Sequence, residues 1–206
     1  MNIDVKNTVK PIDYNKSIKI LEKRVEDVLL GKKNELLWVL EHKTSYTAGI
    51  SSNSNDILNK KIKVINTKRG GKITLHSPGQ KVVYFVINLN NRKKDIRKFI
   101  TLIENTIIET LNEYKIKSFR DANNIGIWVN HQNKIKKIAA IGIRVSKWIA
   151  YHGFSININN DISEYKKIIP CGIKDKGISN LKSIKEQNYS DIHKKIIKNF
   201  IKYLKI

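Results

Sequence analysis

Apolar residues recur every three or four positions in some stretches of the chain and alternate or run together in others, which divides it into elements. Between residues 13 and 30, Ile18, Leu21, Val25 and Val28 fall at helical spacing, predicting an amphipathic helix. "DIRKFITLIENTIIETLNEY" (95–114) predicts a longer one, and "SDIHKKIIKNFIKYL" (190–204) closes the chain with another. "ELLWVLE" reads as a short strand running into the loop "HKTSYTAG". "KVINTKRGG" reads as a strand stopped by glycines, and "KVVYFVINL", rich in β-branched and aromatic residues, as a buried strand. "NIGIWVN", "KIKKIAAIGIRVS" and "KWIAYHGFSININ" are three more strands, with "VNHQNK" as the hairpin turn between the first two.

The order is helix, strands, helix, strands, helix, and many strand connections are too short for crossover helices. That predicts an α+β fold, a mixed, largely antiparallel sheet packed against helices. At 206 residues the chain suits one domain with a proper core, and residues 1–206 are read as one. No repeat, low-complexity tract or linker interrupts it. The 40% hydrophobic content excludes a disordered chain. No apolar run approaches bilayer length, and "MNIDVKNTVK" lacks the apolar core of a secretory signal. The single cysteine cannot form an internal disulfide, so a reducing, cytoplasmic setting is expected. A monomer is expected.

The formal net charge of +22 invites a nucleic-acid reading. The charge is mostly Lys, spread along the chain and accompanied by abundant Ile and Asn, as a compositional drift would produce. A dispersed lysine coat is read here as a solvated surface that attracts acidic partners in a salt-dependent way, and no nucleic-acid partner is expected. Against that background Arg69, Arg120 and Arg144 stand out, because a retained arginine suggests a site that needs a planar fork.

Four stretches carry candidate chemistry. "KRGGKITLHSPGQ" (68–80) combines Arg69, the pair Gly70 and Gly71, His76 and a tight "SPG" turn. It reads either as a hairpin loop or as a ligand-binding segment where backbone approaches closely. In "KKIAAIGIRV" (136–145), alternation sends Lys136 and Lys137 to opposite faces. Either one is driven inward, where it loses its proton or finds an anion, or both snorkel to water from an edge strand. Ala139, Ala140 and Gly142 leave room for something to lie against this strand. "YHGFSININN" (151–160) places His152 before Gly153, a position also open to an ordinary hydrogen-bonded histidine. "IIPCGI" (168–173) holds Cys171 between Pro170 and Gly172. The residue is either a buried apolar filler or a thiol on a stiff turn, where a nearby lysine would favour its thiolate. One cysteine and five scattered histidines give no metal-ligand spacing, and no Walker-type phosphate loop is present.

In this order and spacing, "RGGKITLHSPGQ", "KIAAIGIRV", "YHGFSININ" and "PCGI" resemble the lipoyl(octanoyl) transferases, over roughly residues 13 to 183. The resemblance implies the fold of the biotin/lipoate ligase catalytic domains. It implies transfer of an octanoyl group from octanoyl-acyl carrier protein to a lysine of lipoyl domains, those of 2-oxoacid dehydrogenase E2 subunits and the glycine cleavage H protein. No cofactor and no metal are implied. Cys171 matches the family's nucleophile, which forms an acyl-thioester, and Lys137 the lysine that lowers its pKa. Arg69, Gly70, Gly71, Lys72, Ile73, Thr74, Leu75 and His76 match the first substrate-binding segment. Ala140, Ile141 and Gly142, then Gly153, Phe154 and Ser155, match two more. The chain departs from the family at Ser77, where glycine is usual, and at Thr44, where proline is expected. Both differences bear on loop geometry.

The donor thioester is already activated, so the implied chemistry needs no ATP. A free cysteine, with a pKa of about 8.5, is only slightly ionised at neutral pH, and a lysine serves it as base or as cation. Backbone N–H groups near Gly172 or in the glycine-rich segment are candidate oxyanion donors, with His76 or His152 assisting. The small residues of "AAIG" and "HGFS" are candidates to line an acyl slot, where an octanoyl tail would contribute about 5 kcal/mol. The alternatives are an ATP-dependent lipoate or biotin ligase of the same fold and a basic nucleic-acid-binding protein.

Overall fold

The computed structural model describes residues 2–170 and 176–205. Cys171, and with it the turn expected at "PCGI", lies outside the described residues.

The helices form where the periodicity places them. Asp13 caps α1 (Tyr14–Leu29), its carboxylate accepting the Lys16 N–H at 3.0 Å. Asp95 caps α2 (Ile96–Asn112) in the same way through Lys98. The short α3 (Leu181–Ile184) and the terminal α4 (Ile192–Leu204) follow.

The main sheet contains β1 (Ile3–Asn7), β2 (Glu35–Leu40), β6 (Gln80–Asn88), β7 (Phe119–Arg120), β8 (Ile127–His131), β9 (Lys134–Ser146), β10 (Ile149–Asn157) and β11 (Gly177–Ile178). Their order is β1-β2-β6-β10-β9-β8-β7, with β11 beside β9. The β1–β2 and β9–β11 pairs are parallel and the rest antiparallel, so the sheet is mixed and largely antiparallel. Alternation along β6 sorts two cores. Val83, Phe85 and Ile87 face the helix pair α2 and α4, where Phe99, Ile103 and Phe200 pack. Val82, Tyr84 and Val86 face α1, meeting Leu21 and Val28. A three-stranded sheet of β4 (Val64–Asn66), β3 (Ser45–Ala48) and β5 (Ile73–His76) carries a smaller cluster around Tyr46, Ile73 and Leu75. Among the described residues, no helix is long and apolar enough to cross a membrane.

The structure departs from the expected elements in a few places. The loop expected at "HKTSYTAG" contains β3, and the glycine-rich stretch contains β5. Edge strands β1 and β11 were not expected from the sequence pattern. Lys147 and Trp148, expected to open a strand, have φ of 49° and 62° and form the turn between β9 and β10. Gln132 and Asn133, at 53° and 57°, do the same between β8 and β9, as the hairpin expectation requires.

Candidate active site

The loop between β4 and β5 lies across β9. The Gly70 N–H donates to the Ile143 carbonyl at 3.0 Å, and a Cβ on Gly70 would stand 2.8 Å from that oxygen, so only glycine permits the crossing. Arg69 fastens the loop from beneath. Its Nη2 donates to the carbonyl and the hydroxyl of Thr47, both at 2.8 Å, and its Nη1 to the Gly70 carbonyl at 3.0 Å. The planar fork expected of this arginine is thus engaged by the protein's own chain. Arg144 reaches the same loop at the Lys68 carbonyl.

Under this loop runs a narrow slot of about 60 Å³. Arg69, Gly71, Lys72, Thr74 and His76 line it from one side, and Ala140, Ile141, Gly142, Gly153, Phe154 and Ser155 from the sheet. All three substrate-binding segments expected from the sequence therefore contribute. Ile73 and Leu75 do not line the slot, because alternation along β5 turns their side chains into the small third core. Gly71 and Lys72 are exposed and mark the mouth, whereas Tyr14, Val82, Tyr84 and His152 are buried and mark the deep end.

The deep end is a cluster of neutral polar rings. Burial pushes the His42 pKa down to about 4. Its Nδ1 lies 3.0 Å from the Ile12 carbonyl, which only accepts, so Nδ1 carries the proton. Its Nε2 then accepts from the Tyr84 hydroxyl at 2.8 Å. Burial, helped by the neighbouring His42, which could not share a second positive charge, and by the Arg69 guanidinium, lowers His76 to about 3. His76 Nδ1 donates to Gln80 Oε1 at 2.7 Å, so the neutral ring has no N–H left for an oxyanion, contrary to the assisting role expected of it.

His152 is the unusual member. It sits inside β10 with φ of 67°, a left-handed angle that is costly for a side-chain-bearing residue. Strand alternation would aim it at the core face with Ala150 and Phe154. Instead its ring stacks on neighbouring Tyr151 at 4.9 Å and approaches Tyr84. The side chain is 3% exposed, and Nδ1 has no hydrogen-bond partner among the described residues. Burial, reinforced by Arg69 and Arg144, lowers its pKa to about 3. It is a neutral ring with an unmet polar atom, lining the slot.

Lys137 occupies an adjoining groove with Gly70, Asn123, Asn124 and Ile125. It is 6% exposed, while Lys136, on the opposite face, is partly exposed. The paired lysines thus divide as alternation requires, with Lys137 inward. Trp128 stands directly opposite on β8, and the Lys137 Nζ lies 5.1 Å from its ring centroid. Gly126 makes the room, since a Cβ there would stand 2.3 Å from Lys137 Cε. Groove and slot share Gly71, Lys72, Ile141 and Gly142, so they meet at the slot's mouth. Among the described residues, no group of three or more His, Asp or Glu could hold a metal ion.

Residues 13–202 match the family described as the lipoyl protein ligase A/B catalytic domain. The chain belongs to the lipoyl protein ligase A/B catalytic-domain family. An octanoyltransferase of Ehrlichia chaffeensis is 45% identical to it, covering 84% of this chain and 82% of that one. An octanoyltransferase of Neorickettsia sennetsu is 41% identical, covering 93% and 94%. A crystal structure of lipoate-protein ligase A bound with ATP superposes with a TM-score of 0.78 at 16% identity, covering all of this chain and 87% of that one, which shows a shared fold. With relatives of this kind the chain is an acyltransferase.

Three lining residues of this lipoyl protein ligase A/B domain went unmarked in the sequence. Tyr14 and Tyr84 bring hydroxyls to the deep end, and Val82, a neighbour of Tyr84 in the α1-side core, lines the slot with them. A hydroxyl-bearing tyrosine inside an otherwise apolar run, as in "VVYFVI", was the available signal.

Proposed function

We propose that this chain, in the cytoplasm, transfers an octanoyl group from octanoyl-acyl carrier protein to a lysine of lipoyl domains through a thioester on Cys171. The observation that carries the reading is the junction of slot and groove, where a narrow slot walled on the sheet side by small residues such as Ala140, Gly142 and Gly153 opens beside a buried primary amine. The sequence limits how far the sulfur can stand from that amine. Ile168 bridges to Ile57, and Ile178 pairs with Lys137. Cys171 stands seven residues before Ile178, and seven residues reach at most about 25 Å.

In the first step Lys137 takes the Cys171 proton or stabilises the thiolate. The sulfur attacks the carrier's thioester carbonyl, the carrier sulfur leaves, and it takes a proton to become a thiol. In the second step the neutral amine of the lipoyl-domain lysine attacks the new thioester. An amide forms, the Cys171 thiolate leaves, and the amine's surplus proton passes to Lys137 or water. One thioester replaces another, then becomes the more stable amide, so neither ATP nor another cofactor is required. The acyl tail occupies the slot lined by Ala140, Ile141, Gly142, Gly153, Phe154 and Ser155, its end towards Tyr14 and Tyr84. The excess of Lys and Arg, 40 against 18 acidic residues, steers acidic carrier and lipoyl domains, E2 and glycine cleavage H protein among them.

The test is intact mass spectrometry after mixing the chain with octanoyl-carrier protein, without ATP. An added octanoyl group that maps to Cys171 and then moves to a lipoyl domain is expected. No adduct and no transfer until ATP and free acid are supplied would overturn the reading in favour of a ligase.

A further inference from the structure

Trp128 carries two ammonium groups. Lys137 Nζ lies 5.1 Å from its ring centroid and Lys176 Nζ lies 4.9 Å from it. The two cations are treated differently. Lys176 is paired with the Asp121 carboxylate at 2.5 Å. Lys137 has no ion pair or hydrogen bond at Nζ among the described residues, and the face of Trp128 is its neighbour there.

Asp121 is itself well held. It accepts from the Asn123 N–H at 2.9 Å and from Asn124 Nδ2 at 3.1 Å. With Lys176 as the largest influence, these contacts keep its carboxyl well below the usual range. The Trp128 indole N–H donates to the Asn124 carbonyl at 3.0 Å, so the segment that carries Asp121 is tied to the ring beneath Lys137. Asn123 and Asn124 also line the groove containing Lys137. Among the described residues, the other charged groups on the elements around the groove are Lys72 at its wall, Glu104 with Arg120 one turn beyond Ile100, and Lys136 on the opposite face of β9. Glu104 is engaged by Arg120 at 3.7 Å. Asp121 is therefore the carboxylate whose partner shares the ring with Lys137.

We infer that the Asp121–Lys176 pair is a positioning device that keeps this carboxylate occupied, leaving the Lys137 ammonium on the Trp128 face unpaired for proton transfer. An ammonium locked in an ion pair is a poorer base and also a poorer stabiliser of a nearby thiolate. In either role Lys137 works best with Asp121 engaged elsewhere. The inference rests on the function proposed above.

The test is the pH dependence of octanoyl transfer from octanoyl-carrier protein to a lipoyl domain, compared across variants. Lys176→Met keeps the apolar stem and removes the charge, releasing Asp121 towards Lys137. Both roles of Lys137 then predict the same sign, an acidic limb moved up by about one pH unit with slower transfer at neutral pH. Lys176→Arg should retain the original profile. The double variant Asp121→Asn with Lys176→Met should return the limb towards its original position, a rescue that simple damage to the segment would not give. A Lys176→Met profile superimposed on that of the unmodified chain, or a double variant no better than the single, overturns the positioning role. No transfer by the unmodified chain overturns the function it rests on.

Discussion

Ile178 pairs in parallel with Lys137 on the edge of β9 beyond the end of β10. The Ser179 N–H continues the ladder, donating to the Lys137 carbonyl at 3.0 Å. The strand that follows the "PCGI" stretch is thereby stitched to the residue bearing the buried amine. Ser179 is 1% exposed, so Ser179→Pro removes a donor that water cannot replace. The expected cost is about 1–3 kcal/mol of stability, read by denaturant unfolding, with octanoyl transfer reduced at least tenfold. Transfer at the original rate would show that the ladder does not position the reaction.

Lys137→Met retains the volume above Gly126 and Trp128 but discards the amine. Transfer should fall by about 10²–10⁴-fold, the usual scale for losing a positioned acid–base group, while the thermal midpoint stays within a few degrees. Near-normal rates in single-turnover measurements would remove Lys137 from the chemistry.

Gly126 and Gly31 form a matched pair. Both have positive φ, 138° and 67°. A Cβ at Gly126 meets Lys137 Cε at 2.3 Å and the Ala139 carbonyl oxygen at 2.7 Å, whereas one at Gly31 meets nothing within 4 Å. Gly31→Ala should cost about 1–2 kcal/mol of stability through backbone strain and leave transfer unchanged. Gly126→Ala should lower both stability and transfer, because the displaced group is the amine. Equal activity in the two variants would contradict the crowding argument.

The three buried histidines set the acid limit of the fold. His42, His76 and His152 are held near 4, 3 and 3, below the value of about 6.5 for an unfolded histidine. Between those limits the unfolded chain binds more protons, so stability falls as pH falls. The contribution is intact above pH about 6.5 and is lost towards pH 3–4. Each proton taken up costs about 1.4 kcal/mol per pH unit. Calorimetry from pH 7 to 4 should show a falling midpoint, and His42→Gln should flatten the slope. A midpoint independent of pH over that range would show that these rings are not buried neutral.

The long helices were readable from sequence because their periodicity is local and an aspartate caps both α1 and α2. β1 and β11 were not, because what makes them strands is a distant partner, β2 and β9 respectively. β3 and β5 were hidden by the glycines and turn residues around them, although Tyr46, Ile73 and Leu75 carry the apolar face of that sheet. At Lys136 and Lys137, alternation shows that the two differ. Deciding which is inward needs Trp128 and Gly126, which come from another strand and its approach. The deep end of the slot was illegible for a related reason. Tyr14 and Tyr84 come from a helix and a strand, and each alone resembles an ordinary core residue, whereas His152 was marked but stayed open to the reading of an ordinary hydrogen-bonded histidine.

The backbone reversal at His152 has a cost in sequence freedom. A regular strand would turn residue 152 to the α2 and α4 side with Ala150, leaving Tyr151 alone of the two on the α1 side. By twisting one residue, β10 stacks two consecutive rings on each other, sets His152 into the wall of the slot beside Tyr84, and then resumes its rhythm at Phe154 and Ile156. A β-branched residue at 152 would favour straightening the strand, thrusting its own bulk among the packed side chains beneath α2 and α4 and taking a ring out of the wall. At this one position the demands of the cavity and those of the core are opposed, and the left-handed turn is how the chain satisfies both.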